Sequence, residues 1–245
     1  MISLNNIFDV ALSLLAALSV LSIHEYFHAL IAYKLGDPTA KSLGRLTLNP
    51  IKHIDPIGAV CLVLFHFGWA RPVPINARYF KKPKRDFALT ALAGPASNLI
   101  VAFFSAPIYL LLLEALWASV APDTVLWRFL YYIVSFFATF ISINVGIAIF
   151  NLIPIPPLDG SRILNVILPP KAYFGIMKYE RYIYFGLIGW LALGDIVASL
   201  FLSIPFVAAS PVLSFIAGLF SLSDILSTLF GFVVDGILAF WRLFI

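Results

Sequence analysis

The chain has 245 residues, of which 62% are hydrophobic and 11% charged, with a net charge of +4. A soluble domain is nearer half apolar and a quarter charged, so this composition excludes a single water-soluble core and implies a protein of the lipid bilayer. Fourteen of the 16 Lys and Arg residues fall in three regions, 34–52, 71–85 and 162–181. That pattern marks cytoplasmic flanks of a multi-pass protein of the cell membrane, and not a nucleic-acid-binding face, which needs a basic soluble module.

The first apolar segment covers residues 6–35 and ends at Gly36-Asp37-Pro38. Its leading residues carry no Lys or Arg and no cleavage site follows, so it reads as a retained helix entering from outside, with the N-terminus external. Residues 36–86 are mixed, with turns at Asn49-Pro50 and Asp55-Pro56. Within them, 57–69 is apolar but too short for an ordinary span and is flanked by basic clusters, so a re-entrant or surface-lying element is predicted. Arg71-Pro72-Val73-Pro74-Ile75 follows and is predicted to be extended, because each proline disfavours helix for itself and its predecessor. An irregular backbone at membrane depth must line a cavity or be buried in protein.

A second span is predicted at 86–116 and a third at 126–152, joined by a short outer loop around Pro122 and Asp123. The third breaks at Pro154, Pro156 and Pro157, and a short helix restarts near Asp159 and stops at Pro169-Pro170. A fourth span covers 182–202. Residues 205–245 form one or two more, divided near 221–224. The expectation is therefore an all-α polytopic membrane protein of five or six spans. A small re-entrant or extended element lies between its first two core helices. Residues 1–170 form a core, and 171–245 are C-terminal membrane helices.

The chemistry starts at His24-Glu25-Tyr26-Phe27-His28. Four residues is about one helical turn, so both imidazoles project from one face and can hold one metal ion. Glu25 stands beside the first ligand, where it can act as general base toward water made acidic by zinc. Three ionisable residues inside an apolar helix are expensive and point to function. A catalytic zinc takes three protein ligands and one open position. The other histidines, His53 and His66, read as interfacial or pore-facing. The single cysteine, Cys61, excludes an internal disulfide and a thiolate cluster. Among the acids, Asp159 follows the proline-broken stretch at the depth of His24 and His28. It is either the third ligand or an N-cap of the helix that follows, and spacing alone leaves both readings open. Asn151, at the start of the same stretch, could hold a substrate carbonyl through its side chain. Gly94 and Asn98, four residues apart, mark one helix face, suited to close packing against the first helix or to substrate contact.

Three elements in order resemble the site-2 protease family of intramembrane zinc metalloproteases, peptidase family M50. They are His24-Glu25-x-x-His28, Gly94-Pro95-Ala96-Ser97-Asn98, and the stretch from Asn151 through Pro154, Pro156 and Leu158-Asp159-Gly160. The resemblance implies one zinc per chain held by His24, His28 and Asp159, with Glu25 as base and Asn151 assisting the substrate. It also implies hydrolysis of peptide bonds in or near transmembrane segments of other membrane proteins, as in regulated intramembrane proteolysis. The 116–126 connection is too short for the PDZ domain that many members carry there, so a compact member is expected. Asn98, Arg71, Val73 and Ile75 are the candidate substrate contacts, the last three as an edge that an unwound substrate strand could join. The competing reading is a membrane transporter or channel with a structural metal site, for which broken helices are also usual.

Overall fold

The computed structural model describes residues 4–56, 58, 71–119, 121, 122, 124–204, 206, 210, 212, 213, 218 and 221–245. Eight α-helices are used below: α1 (Leu4–Lys34), α2 (Thr39–Ser42), α3 (Pro83–Ser119), α4 (Val125–Leu152), α5 (Asp159–Ile167), α6 (Pro170–Met177), α7 (Glu180–Leu202) and α8 (Leu222–Trp241). No β-strand occurs among the described residues. Four helices (α1, α3, α4 and α8) are long and apolar enough to cross a membrane. Helix α7, bent by 50° near its middle, makes a fifth if counted as one span. The chain is thus an all-α polytopic membrane protein. The element expected at 57–69 lies outside the described residues apart from residue 58, and so do Cys61, His66 and Asp123.

Local chemistry sets the helix ends. Helix α1 stops where Gly36 adopts φ +111°, and the Gly36 and Asp37 N–H groups donate to the carbonyls of Tyr33 and Ala32 at 3.1 and 2.9 Å. That is a Schellman closure, which satisfies the last carbonyls of a helix. Helix α4 is capped by Thr124, whose Oγ1 accepts the Trp127 N–H at 3.1 Å. It ends at Leu152, as the three prolines beyond it require.

Helix α3 is the hub of the bundle and packs against α1, α4, α5 and α8. It contains Pro95 and Pro107. Each lacks the N–H that would bond the carbonyl four residues earlier, a serious loss in lipid. For Pro107 the orphaned acceptor is the carbonyl of Phe103, and Trp241 Nε1 of α8 donates to it at 2.8 Å. A C-terminal helix therefore repairs the defect in α3 and is fixed against it, with Trp241 also packed on the Phe103 ring. Trp241→Phe keeps most of the packing and removes the donor. It should lower stability in detergent by about 1 kcal/mol, in the range of single hydrogen bonds inside membrane proteins. Reversible denaturant titration of both proteins checks this.

Candidate metal centre

Both histidines lie in the last third of α1 and are buried, as is Glu25. Their Nε2 atoms are 3.0 Å apart. Asp159, the first residue of α5, places Oδ2 3.1 Å from His24 Nε2 and 3.2 Å from His28 Nε2. The residue before it, Leu158, occupies the cap position and makes no side-chain cap bond. The Asp159 side chain is thus turned to the imidazoles and not to the helix start.

Two contacts orient the rings. His28 Nδ1 lies 2.7 Å from the carbonyl of Thr90, which can only accept, so this nitrogen carries the proton. His24 Nδ1 lies 3.2 Å from Asn98 Oδ1, which also accepts. With both imidazoles neutral, as metal ligation requires, both Nε2 atoms then present lone pairs to each other and to the Asp159 carboxylate. Three acceptors meeting at one point repel unless a cation sits among them. An ion with bonds of about 2.0 Å in a tetrahedron holds its donors roughly 3.3 Å apart, close to the spacings found here. The three donor atoms lie within 4.8 Å of one another, so the residues fit a zinc ion.

Glycines make the cluster possible. A Cβ placed on Gly94 would lie 2.6 Å from Cε1 of both His24 and His28 and closer still to His28 Nε2, so only glycine lets α3 approach the imidazoles. A Cβ on Gly160 would collide with the carbonyls of Leu152 and Ile153, so only glycine lets α5 fold back on the end of α4 and deliver Asp159.

Glu25, 100° around the helix from His24, points to the non-helical segment 71–76. Its Oε2 accepts the Val73 N–H at 2.8 Å. Beside these residues lies a cavity of about 300 Å3 lined by Glu25, His28, Val73, Ile75, Asp159 and Arg162, among others. Ala91 also lines it, and Pro95 leaves the Ala91 carbonyl without its helical donor.

His24, Glu25, His28, Asp159, Val73 and Ile75 are therefore brought together. Arg71 is exposed at the far end of its segment, its carbonyl held by Arg45 Nη2 at 2.5 Å. Asn98 is fully buried against His24. Asn151 donates Nδ2 to the Ile147 carbonyl of its own helix at 3.1 Å and is not among the residues lining the cavity. His53 is buried outside the cluster, with Nε2 2.7 Å from the Thr47 carbonyl. Sequence reasoning did not anticipate Thr90 as the partner of His28, nor Asn98 as the partner of His24. For Asn98 the four-residue spacing from Gly94 was the available signal, since it puts the amide on the face that meets α1.

Three convergent metal-binding side chains with a further carboxylate beside them, set among apolar spans, fit a membrane-embedded metal-dependent hydrolase. Residues 12–183 match the profile of peptidase family M50, and the chain belongs to that family. It is 45% identical over 161 residues to "Putative zinc metalloprotease YwhC" of Bacillus subtilis, an alignment covering 66% of this chain and 71% of that protein. It is 32% identical over 157 residues to "Putative zinc metalloprotease Rip2" of Mycolicibacterium smegmatis, covering 62% of this chain and 55% of the relative. No solved structure matches it. The protein is thus a zinc metalloprotease of the site-2 type, which displaces the transporter reading.

Asn98→Ala leaves the three donors in place but frees the His24 ring. Zinc affinity should fall about 10–100-fold, the usual cost of losing such a partner. Gly94→Ala should weaken it at least as much. Competition titration with a chromogenic chelator reads both, and unchanged affinity in Asn98→Ala would remove the orienting role.

Proposed function

We propose that this protease cuts peptide bonds in or near transmembrane segments of other membrane proteins, in regulated intramembrane proteolysis. One zinc per chain is held by His24, His28 and Asp159, with Glu25 as general base. The observation that carries this reading is the buried convergence of the three donors beside a cavity that also contains the Glu25 carboxylate. Residues 1–170 supply the site and 171–245 the helices that flank it.

Bound zinc supplies a Lewis acid that makes water more acidic and polarises a carbonyl. The chain's own residues do the rest. Glu25 accepts a proton from the attacking water and delivers it to the leaving amine. Asn151, after a side-chain rotation away from Ile147, positions the substrate carbonyl. Asn98 acts on the substrate side only through the His24 ring. Arg71, Val73 and Ile75 form the edge that receives an unwound substrate strand. The prolines support this, since a segment that cannot be helical keeps the carbonyls beyond Arg71 out of helical bonds.

For orientation, the three basic regions support a shared cytoplasmic side, with the N-terminus outside and the zinc-site loops toward the cytoplasm. Topology reporters fused near Gly36, Arg85 and Lys171 should all behave as cytoplasmic, and one near Asp123 as external. A cytoplasmic signal at Asp123 would reverse the helix order.

Glu25→Gln preserves shape and removes the basic oxygen. The purified variant should keep stoichiometric zinc and lose cleavage of a transmembrane peptide by at least ~100-fold, the low end for one positioned acid–base group. Because it retains substrate without cutting it, photo-crosslinkers at positions 71, 73 and 75 should label bound peptide in this background. Normal zinc with undiminished cleavage would remove Glu25 as base. Labelling confined to helix positions would remove the edge.

A further inference from the structure

We propose that Asp37 is a positioning residue for the protease reaction: its buried carboxylate fixes the backbone segment that holds Glu25. The inference rests on the reading of Glu25 as base. Asp37 follows α1 and is completely buried, although it belongs to neither the metal cluster nor the cavity lining. Each of its oxygens has a separate task. Oδ1 accepts the Thr39 N–H at 2.9 Å and the Thr39 hydroxyl at 2.5 Å, which binds the carboxylate to the start of α2. Oδ2 accepts the Asn76 N–H at 2.6 Å, across 39 residues of chain.

Asn76 closes the segment that begins at Arg71. Three of its backbone groups are now accounted for. Arg45 takes the Arg71 carbonyl, Glu25 takes the Val73 N–H, and Asp37 takes the Asn76 N–H. Pro72 and Pro74 have no N–H to offer. The Arg71 N–H donates to the His53 carbonyl at 2.8 Å and anchors the start of the segment; from Pro72 to Asn76 it has no helix or ladder of its own, and the Glu25 and Asp37 side chains fix its height. A second contact ties the same two regions. A Cβ on Gly36, at φ +111°, would lie 3.2 Å from the Tyr79 carbonyl, in the turn that follows Asn76. The chain directly after α1 and the chain after Asn76 are therefore in close contact on the backbone as well as through the carboxylate.

A carboxylate fits this place and an amide does not. Two oxygens face N–H donors on opposite sides, and both can accept only if the group carries no NH2. Asp37→Asn must turn a donor toward Thr39 or toward Asn76. Turned toward Asn76, it releases the Val73–Asn76 backbone, and the Val73 N–H no longer holds the Glu25 carboxylate in one orientation. Metal donors on α1, α3 and α5 are not touched.

The test compares the wild type, Asp37→Asn and Thr39→Val, each as the full chain in detergent, by zinc affinity, thermal unfolding and kinetics on a transmembrane peptide. Thr39→Val removes one bond to the same carboxylate while leaving its Asn76 arm intact. Asp37→Asn should lower kcat about tenfold or more, the scale of a small misplacement of a catalytic group, with KM and zinc affinity within about twofold of wild type. Thr39→Val should lower the unfolding temperature and leave kcat unchanged. If both variants lose kcat in proportion to lost stability, or if Asp37→Asn keeps wild-type kcat, the positioning role is wrong. Absence of cleavage by the wild type would instead overturn the reading of the site itself.

Discussion

The structure depends on keeping the donor atoms of His24, His28 and Asp159 aimed at one point among apolar helices. The donor atoms of His24, His28 and Asp159 sit 3.0–3.2 Å apart, both histidines are buried, and the outer nitrogen of each imidazole faces a hydrogen-bond acceptor. Without fixed partners on the outer nitrogens, either ring could rotate and put a proton inward, which would turn a metal site into an ordinary hydrogen bond. Thr90 and Asn98 prevent that from one helix, α3, eight residues and about two turns apart. Gly94, midway between them, is where the two helices touch. The Gly94-to-Asn98 pattern is thus one device: a smooth surface for approach and a side chain that fixes a tautomer.

A bilayer tolerates the required breaks only when each freed backbone group finds another partner. At the α4–α5 break the bonds are short-range, Ile155 N–H to the Ile153 carbonyl at 2.8 Å and Leu158 N–H to that of Ile155 at 2.9 Å. At Pro107 the partner is Trp241 from the far end of the chain. At Pro95 the freed carbonyl is that of Ala91, a residue that lines the cavity. Two prolines in one helix therefore differ in setting: one is compensated inside the bundle by a donor from α8, and the other frees a carbonyl of a residue that lines the cavity.

Helical spans were legible because length and apolar composition decide them. The predicted 126–152 and 182–202 correspond to Val125–Leu152 and Glu180–Leu202. The convergence of His24 and His28 was legible because a four-residue spacing on a helix puts both side chains on one face. Asp159 was not decided by spacing, since an acid at the start of a helix serves equally well as a cap. Only the fold of α5 against Leu152 and Ile153 turns its side chain to the histidines. Asn98 was visible as a member of a face but not as the partner of a particular nitrogen. Asp37 and Arg45 were least legible. Both bind backbone groups 26 to 39 residues away, and a peptide N–H or carbonyl is the same whatever residue bears it.

The two halves of the chemistry are held in different ways. The three residues that could hold a metal stand on helices that pack against one another or against α3, with glycines at the points of closest approach, so their geometry is as rigid as the bundle. Glu25 shares a helix with two of them, yet its carboxylate is oriented by Val73, on a segment with no regular structure of its own. A peptide in the cavity would meet that segment and the base together, because Val73 and Ile75 line the same wall as Glu25. A substrate carbonyl that paired with the Val73 N–H would compete with Glu25 for the one donor.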